Sequence, residues 1–271
     1  MRAFAWGRAL AAAAAGAAVF AAAGAAAQTD YYNTDAGRPL RIEDAHPVER
    51  YAFELQLAPL RLERAPGGVY RWEVEPELAY GILPRTQVEV GFPLVVVDDA
   101  HDPGAEGLGG IALAALHALN VETLGFPAFA VGARVLLPVG ELAPDDALAS
   151  VKGIATRSFG GGRVHVNAEY TFGSGGGGAE EASRWMAGVA VDRALPLRAL
   201  LLTAGAFAER PLEGGHLRWA AEAGFRYQVS PQLNLDGGVG RVLAGDQQGW
   251  SATFGAAYAF ALRSLIPLPG R

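Results

Sequence analysis

The sequence has 271 residues, no cysteine and a formal net charge of −6 at pH 7, with 28 acidic residues against 22 lysines and arginines. The absence of cysteine excludes a disulfide framework, thiolate metal ligands and a lipid anchor on cysteine. An acidic chain does not favour binding to nucleic acid, so we expect no nucleic-acid partner.

Residues 1–27 are typical of a secretory signal peptide. Arg2 and Arg8 give a short basic start, and the apolar run that follows, residues 9–23, is too short to cross a membrane as a helix. Small residues then precede a cleavage site near Ala27. We therefore expect an exported protein whose signal peptide is removed.

The mature chain would begin with a polar stretch, residues 28–50. Its composition is too polar for a lipid-facing strand, and two interpretations remain open. The stretch is either an N-terminal leader in the periplasm or a plug inside the lumen of a barrel.

From residue 51 onward, apolar and polar residues alternate. In YRWEVEPELAY (residues 70–80), one alternate set is apolar and the other carries one Arg and three Glu. Successive side chains of a strand point to opposite faces, so this pattern predicts a ribbon with one apolar and one charged face. Repeats of about ten residues with turn signals between them predict an all-β protein. The twelve predicted strands are 51–58, 70–80, 87–96, 109–120, 128–138, 149–159, 163–172, 184–192, 199–209, 217–228, 233–242 and 250–260.

The connections and the aromatic residues indicate which face lies inside. Short turns alternate with a second set of mostly longer loops, as in outer-membrane barrels. Tryptophans fall near the starts of even-numbered strands and tyrosines near the opposite ends, which is the sorting that two lipid interfaces select. The predicted lipid-interface girdles are Trp72, Trp185, Trp219 and Trp250 at the outer rim and Tyr51, Tyr80, Tyr227 and Tyr258 at the periplasmic end.

We therefore predict an all-β fold: an antiparallel, up-and-down transmembrane β-barrel of about twelve strands, formed by residues 51–260 in the outer membrane of a Gram-negative bacterium. Closure leaves no unpaired strand edge facing lipid. Local bulges are expected at Pro76 and Pro93, because proline lacks the amide that a ladder requires.

The end of the last predicted strand resembles the C-terminal insertion signal that the outer-membrane assembly machinery reads. The residues that carry this resemblance are Gly255, Tyr258 and Phe260. Such signals usually end the chain, whereas here a tail of residues 261–271 follows.

The polar alternate set is predicted to face the lumen, and two interpretations of its charges remain open. They either select solutes in a polar pore or pair with one another and fill a closed barrel. The predicted lumen or substrate-path residues are Arg71, Glu73, Glu75, Glu77, Glu89, Arg163, His165, Asn167, Glu169, Arg184, Arg218, Glu222 and Arg226.

The chain resembles the outer-membrane family named for the MetA pathway of phenol degradation. The stretches that carry the resemblance are LPRTQVEVGFPL (83–94), GLGGIALAALHAL (107–119), ARVLLPVG (133–140), RVHVNAEYTFG (163–173) and VSPQLNLDGGVG (229–240). This resemblance implies a β-barrel transporter for aromatic or other hydrophobic compounds, and it brings no set of catalytic residues.

The sequence therefore predicts a channel for passive uptake of small hydrophobic or aromatic molecules, with the outer-membrane lipid bilayer and the assembly machinery as partners. It predicts no enzyme, cofactor or metal site. One alternative is a closed structural or adhesive barrel without a pore. Another is a barrel hydrolase that uses His165 and Asn167, although no motif marks a serine beside them.

Overall fold

The computed structural model describes residues 33–64, 69–98, 104–173, 183–211, 216–245 and 249–266. The predicted signal peptide lies outside these ranges. Within them the chain forms strands and two short 3-10 helices, Pro196–Arg198 and Arg263–Leu265. No helix in the described part is long and apolar enough to cross a membrane.

The strands form one antiparallel sheet that closes on itself. β1 pairs with β14 on one side and with β2 on the other, so the sheet has no free edge at this seam. The strands are β1 (Ala52–Arg64), β2 (Tyr70–Leu83), β3 (Thr86–Gly91), β4 (Leu94–Asp98), β5 (Ala105–Leu108), β6 (Ile111–Ala118), β7 (Ala128–Leu137), β8 (Leu148–Phe159), β9 (Gly162–Phe172), β10 (Ser183–Leu195), β11 (Leu200–Pro211), β12 (Arg218–Ser230), β13 (Leu233–Ala244) and β14 (Trp250–Ala261).

Two barrel strands are each divided into two segments. β3 and β4 both pair with β2, so they are the two parts of one barrel strand. β6 pairs with β3 and β5 pairs with β4, so β5 and β6 are the two parts of the next barrel strand. Gly109 N donates to Pro93 O, which keeps the ladder connected where the two strands are interrupted. The fourteen segments thus make a closed barrel of twelve strands, as the sequence predicted.

The two faces of the barrel differ as the alternation predicts. Val166 of β9 is 49 % exposed and Val189, its partner on β10, is 44 % exposed. Asn167, next to Val166, is fully buried. The apolar side chains therefore cover the outside of the barrel and the polar ones fill its interior.

One bulge keeps the polar residues of β1 inside. β1 runs to Arg64, beyond its predicted end at residue 58, and contains Pro59. Gln56 lies opposite Ala257 and Leu60 opposite Phe254, so β1 has one residue more than β14 in this interval. Because of that extra residue, Gln56 and Arg61 both face the lumen although they are five positions apart.

The bulges expected at Pro76 and Pro93 do not occur at those residues. The register is continuous between Val74↔Leu94 and Glu77↔Gly91, so neither proline shifts it. The bulge lies in β1, opposite Pro76. Pro93 instead occupies the interruption between β3 and β4, where its missing amide breaks no ladder.

The structure also gives the facing of the three strands whose alternation was ambiguous. Leu116 of β6, Ile154 of β8 and Leu201 of β11 are buried, and each belongs to the inward set of its strand. These inward residues are apolar, which is why polarity alone did not distinguish the two faces.

An aromatic stack closes the seam between the first and last strands. The ring of Phe53 lies 4.4 Å from Tyr80 and 5.2 Å from Phe260, measured between centroids, and Phe260 stacks in turn on Tyr258. Phe53 is directly opposite both Tyr80 and Phe260 in register. The stack therefore spans β2, β1 and β14 at one end of the barrel.

Candidate functional site: the lumen and its inserted segment

Residues 33–50, here called the inserted segment, lie inside the barrel. The segment begins with a loop whose two ends meet: Asp44 N donates to Thr34 O, and Thr34 N donates to Asp44 Oδ2, both at 3.1 Å. The backbone then continues to Arg50, which bridges to Gly81 at the end of β2. The segment thus forms a closed loop followed by a short run that leads into β1.

Contacts with the barrel wall orient this loop. We call the end with connections 84–85, 160–161 and 231–232 the short-turn end and the opposite end the loop end. Arg163, close to the short-turn end of β9, pairs with Asp44 at 3.0 Å. Arg41 pairs at 2.9 Å with Glu209, close to the loop end of β11. The loop therefore stands in the lumen with its base at the short-turn end and its tip towards the loop end.

Inward side chains of the wall hydrogen-bond the backbone of the inserted segment. Asn167 Oδ1 accepts from Glu43 N, and Asn167 Nδ2 donates to Glu43 O, both at 2.9 Å. Ala45 N donates to Thr156 Oγ1 at 3.0 Å, and Thr253 Oγ1 donates to Pro39 O at 3.1 Å. These side chains satisfy backbone groups that would otherwise be buried without a partner.

Apolar contacts hold the same segment. Leu40 and Ile42 are 2 % exposed and pack into a cluster with Met186 and Phe207 of the wall, among others. Ala45 packs into a second cluster, formed by inward residues of β6, β7 and β8. The interior is therefore not uniformly polar, because the wall carries apolar patches where the segment rests.

Two arginines are buried with carboxylates at the base of the segment. Arg38 and Arg226 are almost completely inaccessible. Asp35 pairs with both, at 2.6 and 2.9 Å, and Asp236 lies 3.5 Å from Arg38. Arg226 also donates to the carbonyl of Asn33. Buried charges require such pairing, so the cluster fixes the start of the segment to β12 and β13.

A hydrogen-bond chain links the segment to the side chains considered for a hydrolase. His165 Nδ1 lies 3.0 Å from Thr156 Oγ1, and His165 Nε2 lies 2.9 Å from Asp192 Oδ2. Thr156 is fully buried, and its hydroxyl accepts from Ala45 N while it also contacts the histidine. The chain thus positions the segment, and the hydroxyl is closed off from any substrate approaching through the lumen.

Asp44 and His46, two neighbouring groups of the segment, have pKa values shifted in opposite directions. Burial opposes ionisation of Asp44, but its hydrogen bond with His46 and the charge of Arg163 lower the pKa of Asp44 to about 2. The same contact, 3.4 Å between His46 Nδ1 and Asp44 Oδ1, raises the pKa of His46 above its ordinary value. Arg163 belongs to the barrel wall, so its part in lowering the pKa of Asp44 depends on the position of the segment in the lumen.

A cavity of about 250 Å³ remains between the inserted segment and the wall. Carboxylates of β2 and β3 line one part of it, and the inward apolar side chains of Leu116 and Leu148 line another. Each of the five cations that line it forms an ion pair: Arg41–Glu209, Arg61–Glu63, Arg71–Glu73, Arg134–Glu75 and Lys152–Glu43. Among the described lining residues, Glu77, Glu89 and Glu169 form no ion pair, so acidic side chains outnumber basic ones around the cavity.

The structure divides the predicted lumen residues into two groups. Six of them line the cavity: Arg71, Glu73, Glu75, Glu77, Glu89 and Glu169. A second group holds the inserted segment, directly or through one neighbour: Arg163, His165, Asn167, Arg218, Glu222 and Arg226. The side chain of Arg184 lies outside the described part of the chain.

The aromatic residues predicted for the girdles lie at the two ends of the barrel. Trp72, Trp219 and Trp250 are exposed on the outer face close to the loop end, whereas Trp185 is half-buried there. Tyr227 is exposed near the short-turn end. Tyr80 and Tyr258, also near that end, are half-buried because the seam stack covers them, and Tyr51 precedes β1 in a turn with φ of 68°.

The three residues of the predicted insertion signal have different surroundings. Gly255 points inward and is buried, whereas Tyr258 and Phe260 belong to the seam stack. Phe260 is only 5 % exposed, because Phe53 and Tyr258 cover its ring.

Sequence reasoning missed several residues of the site. Arg61 and Glu63 were overlooked because Pro59 hid the second half of β1. Arg134 carried a usable signal, because it is the single charge of its apolar strand, and such a charge is costly on the lipid face and so predicts an inward position. Lys152 was harder to place, because β8 also contains Arg157.

Comparison with known proteins supports the architecture. No protein-family model and no curated protein matches the sequence. Among solved structures, the chain is similar to the COG4313 outer membrane channel from Pseudomonas putida F1, with a TM-score of 0.52, 12 % identity and coverage of 80 % of this chain and 98 % of that one. It is also similar to the KdgM porin in complex with disordered oligogalacturonate, with a TM-score of 0.50, 11 % identity and coverage of 76 % and 99 %. At such identities the likeness shows the fold, a β-barrel of the outer-membrane type, while membership of the MetA-pathway family stays a prediction.

Proposed function

We propose that the protein is an outer-membrane channel whose resting state is closed by the inserted segment. The observation that carries this proposal is the loop of residues 34–44, which occupies the lumen and leaves a cavity of about 250 Å³ beside it. An apolar outer face on a closed barrel supports a membrane location. Displacing the segment would open a path past the charged residues of β1, β2 and β3.

The cavity supports small solutes with an apolar part as the cargo. Its apolar side would contact a hydrophobic or aromatic ring, and its carboxylates would face any polar group. Passage needs no covalent chemistry, because the lumen residues only set the free-energy profile along the path. We therefore favour uptake of small hydrophobic or aromatic molecules over catalysis.

The test is planar-bilayer conductance of refolded residues 28–271, comparing the native chain with Ile42→Asp. A carboxylate at position 42 would be buried without a partner in the cluster with Met186 and Phe207, and it should expel the segment. We expect brief, infrequent openings in the native chain and long openings in the variant. Glu49→Gln is the control, because Glu49 belongs to the same segment and is exposed.

The outcomes separate the candidate functions. Silence of both chains, with folding verified by circular dichroism, would contradict a channel and favour a closed structural or adhesive barrel. Equal, steady conductance in both would show that the segment does not close the pore. Vesicle uptake of a neutral aromatic compound and of a sugar of similar size, both through Ile42→Asp, then tests the substrate class. Faster entry of the sugar would contradict a preference for aromatic cargo.

A further inference from the structure

The connection between β6 and β7, residues 119–127, exposes several large apolar side chains at the short-turn end. Leu124 is 99 % exposed and Phe126 is 67 % exposed, and Leu119 and Val121 are also exposed. Such a cluster on the surface of a protein usually marks a site of contact with another apolar surface.

Hydrogen bonds hold this turn in a single conformation. Thr123 N donates to Phe126 O, and Phe126 N donates to Thr123 Oγ1. Asn120 closes the base of the turn, because its Oδ1 accepts from Phe129 N and its Nδ2 donates to Pro127 O. The apolar surface is therefore formed in advance of any contact.

Arg157 of β8 anchors the turn to the outside of the barrel. It lies opposite Val164 on β9 and next to the inward Thr156, so its side chain belongs to the outer face. Its guanidinium donates to the carbonyls of Thr123, Leu124 and Phe126. The turn thus lies against the outer face of β8. Its carbonyls accept hydrogen bonds from Arg157, which would otherwise face an apolar environment.

The same sector of the barrel lacks the tyrosines found elsewhere at this end. Tyr80, Tyr227 and Tyr258 lie on β2, β12 and β14, around the seam. In the described residues of β6 to β9, the short-turn ends carry neither tyrosine nor tryptophan. The aromatic residues of that part are Phe129 and Phe159, both exposed on the same side as the turn.

We infer that the 119–127 turn is a lipid-docking element, in which Leu124 and Phe126 insert into the periplasm-facing leaflet beside β8. The inference rests on the membrane location proposed above. The apolar surface of the turn continues the outer face of the barrel through Phe129 and Phe159, and Arg157 holds it against that face. Insertion would complete the aromatic and aliphatic belt where the tyrosines are missing.

The absence of cysteine allows a direct test by spin labelling. A nitroxide is attached to Leu124→Cys in the mature chain, reconstituted in vesicles of phosphatidylethanolamine and phosphatidylglycerol. Collision rates with oxygen, which partitions into lipid, and with a water-soluble nickel chelate give the environment of the label. Labels at Val166→Cys, on the outer face, and at Arg198→Cys, on another short turn, are the two references.

We expect the label at position 124 to collide more with oxygen than with nickel, as at 166 and unlike 198. A nickel-dominated label at 124 with an oxygen-dominated label at 166 would overturn the inference and leave the membrane location intact. Nickel-dominated labels at both positions would contradict the membrane location itself. Spin–spin broadening between labels at 124 would indicate that a second copy of the chain covers the turn, which also overturns lipid docking.

A second variant tests the positioning role of Arg157. Arg157→Gln removes most of the donors to the three carbonyls and places a neutral amide at position 157. We expect the label at 124 to become more mobile and to gain nickel collisions several-fold, with no change at 166. An unchanged label at 124 would show that Arg157 does not position the turn.

Discussion

Asn167 and Glu43 exchange two hydrogen bonds, each 2.9 Å long, between the side-chain amide of a barrel strand and the backbone of the inserted segment. The side-chain amide of Asn167 thus bonds the N–H and C=O groups of Glu43 as the backbone of a neighbouring strand would. Loss of this pair would leave a backbone donor and an acceptor unsatisfied in a buried environment.

Asn167→Ala should therefore loosen the segment by about 1–3 kcal/mol. At one decade per 1.4 kcal/mol, the ratio of open to closed channels would rise by roughly 5- to 150-fold. Single-channel open probability measures this change. Thr203→Ala is the control, because Thr203 is also inward and buried but bonds Val191 O within the wall. An Asn167→Ala channel with native gating would contradict the role given to this pair.

The closed state should weaken as the pH rises. The pKa of His46 is raised above 6.5 by Asp44, so its contribution to docking is complete below pH 6.5 and is lost as the pH passes the raised value. Burial raises the pKa of Glu43, which acts in the same direction. The contribution of Asp44 is present above pH 3.8 and is lost only as the pH falls towards about 2.

Open probability should accordingly increase between pH 6 and pH 8, as measured in symmetric salt. The change should be modest, because the His46 side chain is 40 % exposed. His46→Gln removes the titrating ring and should flatten the profile. A native profile that falls with pH would have the wrong sign for this mechanism.

The unpaired carboxylates of the cavity should make the open channel prefer cations. Within the described residues, Glu77 and Glu89 form no ion pair, whereas the cations around them are paired. Glu77→Gln combined with Glu89→Gln should shift the reversal potential in a salt gradient towards that of an unselective pore. Asp145→Asn, an exposed acid outside the strands, should leave it unchanged. Equal effects of the two changes would mean that the cavity does not lie on the ion path.

A charge on the outer face should destabilise the folded barrel in a depth-dependent manner. Val189→Lys places an amine in the middle of the apolar outer face and should cost about 2–4 kcal/mol, whereas Trp185→Lys near the rim should cost about 0–1 kcal/mol. Urea unfolding of protein in lipid vesicles measures both, with Val189→Thr as the neutral control. Full tolerance of Val189→Lys would contradict a lipid-facing position.

The seam stack should contribute to closure of the barrel. Phe53→Ala removes the ring contacts with Tyr80 and Phe260, each worth about 0.5–1.5 kcal/mol. The expected loss of about 1–3 kcal/mol can be read from the same urea titration. Phe254→Ala is the matched control, because Phe254 is exposed on β14 and the described part of the chain shows no ring contact for it.

The alternation of side chains and the sorting of aromatics were sufficient to predict the barrel and its strand number. Both signals are local, because each strand must present one face to each environment. β1 was predicted too short because it contains Pro59 and a bulge. The bulge changes which alternate set of residues faces the lumen, so the alternation of apolar and polar residues does not continue across it.

The inserted segment was the harder part to predict. The sequence of residues 28–50 shows no periodicity, and the fold of the described part, residues 33–50, depends on partners more than a hundred positions away, such as Asn167 and Thr156. Sequence could identify the polar residues of those strands, but it could not distinguish those that line an open path from those that bind the segment. That distinction requires the position of the segment itself.

The contact between Thr34 and Asp44 has a mechanical consequence. Since the loop between them starts and finishes at the same end of the barrel, the described residues 34–44 enter the lumen and return to that end. A force applied at residue 33 from that end would break the contacts one after another, beginning with the pairs of Arg226, rather than all at once. Sequential rupture needs less force than simultaneous rupture of the same bonds, so we expect traction from one compartment to remove the segment from the lumen before the barrel wall unfolds.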